Sequence, residues 1–392
     1  MFDTWNPYNY PTRTAQVLKK IHAPHVKQLT AYFAEHQLTP ASHHNIAFAL
    51  KSFTNGRTRP LIKSTKEDAL AWVQRLRDEG RQESTINTYL NRLKPFLTWM
   101  DAPPIFAWYH PPRNGHASRD RHARDKLVDP SHIRAVIDAA TKPQTRALIA
   151  VLYDSAARIS EILSLKWRNV DLTEYGARLR ITGKTGERTI AIVKSAPYLK
   201  LWIEHHDEGG DPEAYVFYAM WKGRHHMTPG GVQSILNQLC DKTGIPRFSP
   251  HQLRHTRLTE LAKKMPEQIL KSYAGWTNAS TMASVYVHLS GKDTERALLE
   301  VEGVQDKEAL DPEPSPIEPV TCPICSTENP AGAHYCFKCS TPLSKEFAER
   351  VKSDNKKTDD IMERIRINPT AWALIVRAVE IVERSPSSDA TT

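Results

Sequence analysis

The feature that restricts this chain most is an arginine set into an apolar helical stripe. Ser249 followed by Pro250 is a helix start, because a serine side chain accepts from free backbone N–H groups while proline's fixed φ suits the first helical position. His251 and Arg254 share one face, and that face continues through Leu258, Leu261 and Ala262. The arginine's stripe therefore turns towards the interior rather than into water. A buried arginine needs an anionic partner, so the helical core must contain a charged pocket. Further on, Met282, Val285, Tyr286 and Leu289 repeat at helical spacing, which puts the Tyr286 hydroxyl on the inward side of a second short helix. The phenol and the basic cluster can meet in one pocket.

Two upstream stretches carry further charge. Ala147, Leu148, Ala150, Val151 and Leu152 form an apolar helix that runs into Arg158 and Glu161. Glu161 lies one helical turn from Arg158 and is placed to hold its guanidinium. After Asp171 the period changes from helical to alternating, through Arg178, Leu179, Arg180 and Ile181 and again from Arg188 to Val193. Gly183 and Gly186 flank the short turn between these runs, which argues for an antiparallel hairpin with Lys184 at its tip.

Taken in order, these pieces resemble the tyrosine recombinases, also called phage-type integrases. The resemblance rests on His251-Gln-Leu-Arg254 as the HxxR box, Gly275-Trp276, the tail Tyr286-Val-His288, the box of Arg158, Glu161 and Ile162, and the hairpin wording around Lys184. It covers residues 24–300 and is closest to the archaeal form of the motifs. It implies a mainly α fold with a small antiparallel sheet: an N-terminal helical core-binding bundle followed by an α+β catalytic domain. It also implies a site-specific DNA recombinase that breaks and rejoins strands through a 3′-phosphotyrosyl link and a Holliday junction, with four protomers on two duplexes and a monomer or dimer off DNA. Two other readings are a type IB topoisomerase-like enzyme that only relaxes DNA, and a DNA-binding protein built on a decayed recombinase.

The residues explain how such chemistry works. A phosphodiester anion repels nucleophiles, and its transition state gathers more negative charge. Arg158 and Arg254 can each offer paired donors to the non-bridging oxygens. Tyr286 is the expected nucleophile, and His251 is expected to accept or relay its proton. The resemblance assigns protonation of the departing 5′ oxygen to Lys184 and a phosphate-donating indole N–H to Trp276. Glu161 and His255 are expected to orient their neighbours. No paired-carboxylate metal motif or Gly-rich nucleotide loop is apparent, so the reading calls for no catalytic metal and no nucleotide.

Charge and cysteine usage agree with a DNA partner and a reducing compartment. The net charge is +9 and the pI near 9.2, a balance that suits a polyanion. No apolar run approaches the ~18 residues of a membrane span, and a cytoplasmic location is expected. Cys322-Pro-Ile-Cys325 and Cys336-Phe-Lys-Cys339 have the spacing of a tetrahedral four-cysteine zinc ribbon, so structural zinc is expected. Its removal is expected to unfold the ribbon and spare the helical domains. Cys240 reads as a small buried hydrophobe, and the pairs His205-His206 and His225-His226 as surface residues.

The expected organisation begins with a polar arm over residues 1–23, to which no function is assigned, and a four-helix bundle over 24–100 whose last helix Pro95 should kink. Residues 101–126 form a Pro-rich linker carrying Arg113, Arg119, Arg121, Arg124 and Lys126, suited to lying along phosphates or simply to solvation. The catalytic domain then spans 127–300, an acidic Pro-rich linker 301–320, the ribbon 321–345 and a helical tail 346–392. In the tail, Asn368-Pro369 starts a helix with Trp372, Ile375, Val376, Val379 and Val382 on one stripe, available to pack on the ribbon or on a neighbouring protomer.

Overall fold

The computed structural model describes residues 10–110, 127–183, 186–219, 225–286 and 315–384. It opens with a helical bundle of α1 (Tyr10–Leu18), α2 (Ala23–Glu35), α3 (Pro40–Thr54), α4 (Lys66–Asp78) and α5 (Glu83–Trp99). Local chemistry sets the ends of these helices. The Thr39 hydroxyl accepts from the Ser42 N–H at 3.2 Å to start α3, and Asn55 closes it at φ 44, a left-handed conformation that asparagine tolerates. Thr65 and Asp68 form a reciprocal capping box at the start of α4. Leu29, Leu50, Trp72, Leu90 and Phe96 fill the core between the helices, and α5 continues through Pro95.

Both ends of this bundle differ from the sequence expectation. The arm expected over 1–23 is helical from residue 10, and α1 lies against α3, where Thr14 Oγ1 is 3.5 Å from His44 Nδ1. Its inward face uses a threonine, which a count of apolar residues passes over. At the other end, the first residues of the expected linker belong to the bundle, because the chain turns after Pro103-Pro104 and buries Ile105, Phe106 and Tyr109 in its core. The basic residues Arg113, Arg119, Arg121, Arg124 and Lys126 lie outside the described residues.

The second part is built around a buried helix. α6 (Pro130–Ala139) is capped by Asp129, whose carboxylate accepts from the Ser131 N–H at 2.8 Å. α7 (Pro143–Asp154) is buried on all sides from Ala147 to Asp154, as a helix apolar all round must be. After the short α8 (Ile159–Leu163) come three antiparallel strands, β1 (Val170–Thr173), β2 (Gly176–Gly183) and β3 (Gly186–Ile192). The β2–β3 register pairs Leu179 with Ile190 and Ile181 with Arg188 and closes at Gly183 with Gly186, which is the expected hairpin. α9 (Ala196–Glu204), the short antiparallel pair β4 (Tyr218–Ala219) and β5 (His225–His226), α10 (Pro229–Thr243), α11 (Pro250–Ala262) and α12 (Glu267–Ala274) complete it.

Asp154, at the end of α7, ties several of these elements together. Its Oδ2 accepts from the Val193 N–H at 3.1 Å, the Ser195 N–H at 2.9 Å and the Ser195 hydroxyl at 3.0 Å, and its Oδ1 accepts from Arg257 Nη2 at 3.1 Å. The end of the sheet, the start of α9 and the middle of α11 thus share one buried carboxylate. Cys240 is fully buried, as expected. His206 is not a surface residue: it is buried among Trp167, Trp202 and Tyr218, with ring centroids 5.3, 4.9 and 4.9 Å away, and its Nε2 is 3.0 Å from the Tyr215 carbonyl. An imidazole's apolar body lets it join an aromatic cluster once one nitrogen has a partner.

The ribbon consists of β6 (Val320–Thr321) and β7 (Glu328–Asn329) with the two cysteine knuckles. Asn329 is fully buried at its centre, donating to the Thr327 carbonyl at 2.8 Å and accepting from the Phe337 N–H at 2.9 Å. The ribbon does not stand apart, since Ile317 and Ala331 are buried in the same apolar cluster as α7 and α9. α13 (Lys345–Ile367) follows with no buried residue, then α14 (Pro369–Arg384), begun by the Asn368 side chain as expected. The helical tail meets the ribbon at the start of α13, where Phe347 stacks on His334 at 3.9 Å. Among the described residues no helix is long and apolar enough to cross a membrane.

Candidate active site

The C-terminus of α12 gathers the arginines. Gly275 follows that helix at φ 67, and the Trp276 N–H reaches back to the Lys271 carbonyl at 2.9 Å, a Schellman-type ending that fixes the last turn. The carbonyls left over point at three guanidinium groups. Tyr273 O accepts from Arg188 Nε at 3.1 Å, Ala274 O from Arg254 Nη2 at 2.8 Å and Gly275 O from Arg158 Nη2 at 3.5 Å. The negative end of the helix dipole thus offsets part of the repulsion among the cations.

One carboxylate completes the cluster. Glu161 accepts from the Arg158 N–H at 2.8 Å and from Arg158 Nη1 at 3.0 Å, and it takes a paired contact from Arg188 at 3.0 and 2.9 Å. Burial pushes the Glu161 carboxyl up, but Arg188 and Arg158 more than reverse this and hold it below its usual range. Arg254, 4% exposed, also donates to the Ala156 carbonyl at 2.7 Å. Ala156 sits at φ 47, so a left-handed residue aims that carbonyl inward. Burial, together with the neighbouring Arg158, brings the Arg254 pKa down to about 10, which still leaves it protonated at neutral pH.

Tyr286 lies on the same side. It follows a 3₁₀ turn over Thr281–Val285 rather than the α-helix expected from the spacing; Leu289 and His288 lie outside the described residues. The ring is buried, stacks on Trp276 at 5.4 Å and packs with Ala156, Leu258, Leu261 and Leu270. Burial pushes the phenol up to about 12, although Arg254 pulls the other way. The hydroxyl is 2.7 Å from His255 Nδ1, and His255 Nε2 is 3.0 Å from His251 Nε2. The imidazole beside the phenol is therefore that of His255, and exposed His251 stands one step behind it, because residues four apart on α11 share a face.

Arg158, Glu161, Arg254, Trp276, Tyr286, His251 and His255 are brought together, while Lys184 lies outside the described residues. Sequence reasoning missed Arg188. The signal was present, because Arg188, Ile190 and Ile192 alternate along β3 and so share its inner face, the same argument that exposes Arg254 on its helix.

A second constellation lies in the ribbon. The sulfurs of Cys322, Cys325, Cys336 and Cys339 are all within 4.8 Å of one another, with Cys322 to Cys339 and Cys325 to Cys336 both 3.6 Å. A tetrahedron with metal–sulfur bonds of ~2.3 Å has edges of ~3.8 Å, so the four thiols fit a metal ion of that kind.

Residues 126–292 match the family model described as the phage integrase family. Transposase A from transposon Tn554 of Staphylococcus aureus is 25% identical over 254 residues, covering 54% of this chain and 68% of that protein. Tyrosine recombinase XerC of Roseiflexus castenholzii is 24% identical over 269 residues, 64% of this chain and 84% of that protein. Tyrosine recombinase XerA of Pyrococcus furiosus is 25% identical over 244 residues, 60% of this chain and 80% of that protein. Among solved structures, the Tn1549 transposon integrase in complex with transposon right end DNA aligns with a TM-score of 0.54 at 16% identity, over 71% of this chain and 99% of that one. A lambda integrase dimer bound to a COC′ core site aligns with a TM-score of 0.53 at 15% identity, over 73% and 82%.

Proposed function

We infer, from the premise that this chain belongs to the phage integrase family of tyrosine recombinases, that it is a site-specific DNA recombinase that cuts and rejoins strands with Tyr286 as nucleophile. The observation that carries the site assignment is the convergence of Arg158, Arg188 and Arg254 on the end of α12 beside a buried phenol. Three guanidinium groups around one carboxylate leave a net positive pocket, which favours a phosphodiester and still more its doubly charged transition state.

The phenolic oxygen attacks the phosphorus, giving a 3′-phosphotyrosyl link and releasing a 5′ oxygen. Arg158, with about a third of its side chain exposed, and Arg254 hold the non-bridging oxygens, doing with fixed cations what metal ions do in other phosphoryl-transfer enzymes. The Trp276 indole N–H adds a donor, and Lys184 supplies the proton to the departing 5′ oxygen. Attack by another strand's 5′-hydroxyl reverses the step, so the phosphodiester energy is kept in the protein–DNA bond and no nucleotide is consumed. The assembly is four protomers on two duplexes in the cytoplasm, and the four-cysteine site holds structural zinc.

The test is incubation with plasmid DNA in EDTA, stopping with SDS, and assay for DNA covalently attached to protein. The expected result is an adduct with the wild type and none with Tyr286→Phe. An adduct that survives in Tyr286→Phe, or its absence in the wild type on DNA from the gene's own neighbourhood, overturns the reading.

A further inference from the structure

His255 is the one imidazole in contact with the Tyr286 hydroxyl among the described residues, although its place beside Arg254 in the sequence signals no more than an orienting role. The contact is 2.7 Å at Nδ1, and the two rings lie 28° apart at 5.3 Å. On its far side, Nε2 meets His251 Nε2 at 3.0 Å, and His251 is exposed in the first turn of α11. Both contacts are met when His255 accepts the phenol hydrogen at Nδ1 and donates from Nε2, while His251 accepts at Nε2 and carries its own hydrogen on Nδ1.

Among the described residues, the contact to His255 gives the proton a short route. The phenol is buried under Trp276 and Leu258, and burial raises its pKa to about 12, so its proton will not leave unaided at neutral pH. A base within hydrogen-bond reach has to take it.

We propose that His255 is a catalytic residue, the general base that takes the Tyr286 proton and passes one on to His251 at the surface. The assignment rests on Tyr286 being the nucleophile. In the step, the phenol O–H bond breaks and an Nδ1–H bond forms on His255 as the phenolic oxygen bonds to phosphorus. The bond from phosphorus to the 5′ oxygen breaks, and that oxygen takes a proton from the Lys184 ammonium. The His255 Nε2 proton then moves to His251 Nε2, which returns His255 to neutrality with the charge at the exposed end of the pair. In the rejoining step the same path runs backwards.

The experiment measures single-turnover formation of the SDS-stable adduct, on plasmid DNA that gives it with the wild type, for His255→Ala, His255→Asn and His251→Ala. Asparagine keeps an acceptor near the place of Nδ1 but cannot take a proton. The expected result is a loss of about 10²–10⁴-fold for both His255 variants, with melting temperature and DNA affinity retained. Added imidazole should recover adduct formation in His255→Ala. Wild-type-like cleavage by His255→Asn would reduce His255 to an orienting contact and overturn the proposal. So would a pattern in which His251→Ala alone is slow and responds to imidazole. If His255→Ala does not fold, His255→Asn carries the comparison. Absence of a wild-type adduct overturns the tyrosine reading itself, and so is distinguishable from failure of the His255 assignment.

Discussion

Glu161 carries the negative charge that Arg158 and Arg188 share, and both arginines depend on it for their place. Its side chain is 1% exposed, so this is a buried ion cluster, where removing one partner is expensive because the other charges stay buried. Glu161→Ala should destabilise the protein by about 3–5 kcal/mol in denaturant unfolding and abolish adduct formation. The pH dependence follows from the sign of its shift. A carboxyl held below its ordinary range contributes stability that is present above the unfolded pKa of about 4.3 and is lost as pH falls through the lower folded value. The stability gap between wild type and Glu161→Gln should therefore be constant near neutrality and close in acid, which thermal melts across pH would reveal. Tyr286→Phe behaves differently. It removes one hydroxyl contact to His255, so it should change stability by no more than about 1 kcal/mol while abolishing the adduct.

At the scale of elements, the end of α12 does most of the organising, and Gly275 makes it possible. Its φ of 67 needs a residue at ease in the left-handed region, and a Cβ there would lie 2.5 Å from Arg188 Nη1. That guanidinium cannot swing aside freely, since Glu161 grips it on two atoms. Gly275→Ala should cost about 1–2 kcal/mol from backbone strain and lower adduct formation further by displacing Arg188. Gly275→Asn, which tolerates the backbone conformation, should recover the stability lost to strain but not activity; recovery of activity as well would show that the Arg188 contact is dispensable. The same elements explain what the sequence disclosed. The Ser249-Pro250 start, the stripe through Arg254 and the glycine-flanked hairpin are local patterns of spacing, and each appears where expected. What escaped depends on distant partners: Arg188 meeting Glu161 from another strand, Asp154 joining β3, α9 and α11, and His255 rather than His251 reaching the phenol. Spacing shows that two histidines share a face, but not which of them a later turn brings into contact with Tyr286.

For the whole molecule, the position of the ribbon changes what metal loss should do. Read alone, two cysteine knuckles between linkers describe an independent module whose collapse leaves the rest intact. Instead Ile317 and Ala331 are buried in the core that holds α7 and α9, the Ala331 carbonyl accepts from Arg146 Nη2 at 3.5 Å, and Glu318 pairs with Lys194 at 2.5 Å. Lys194 immediately precedes Ser195, whose N–H and hydroxyl are held by Asp154, and Asp154 also holds Arg257 on the helix that carries Arg254 and His255. A ribbon deprived of the zinc proposed for its four cysteines loses the geometry that presents Ile317 and Ala331, because small four-cysteine modules fold with their ion. The missing apolar contacts should cost the catalytic domain about 2–4 kcal/mol. For a domain of this size that corresponds to a melting temperature lower by about 5–10 °C. The measurement is calorimetry of the full chain with and without a strong chelator. The catalytic-domain transition should fall on chelation, and Ala331→Arg, which leaves the four cysteines untouched, should lower it without any chelator. If chelation left that transition where it was while the ribbon unfolded, the contacts through Ile317 and Ala331 would contribute nothing, and the ribbon would be the independent module its spacing implies.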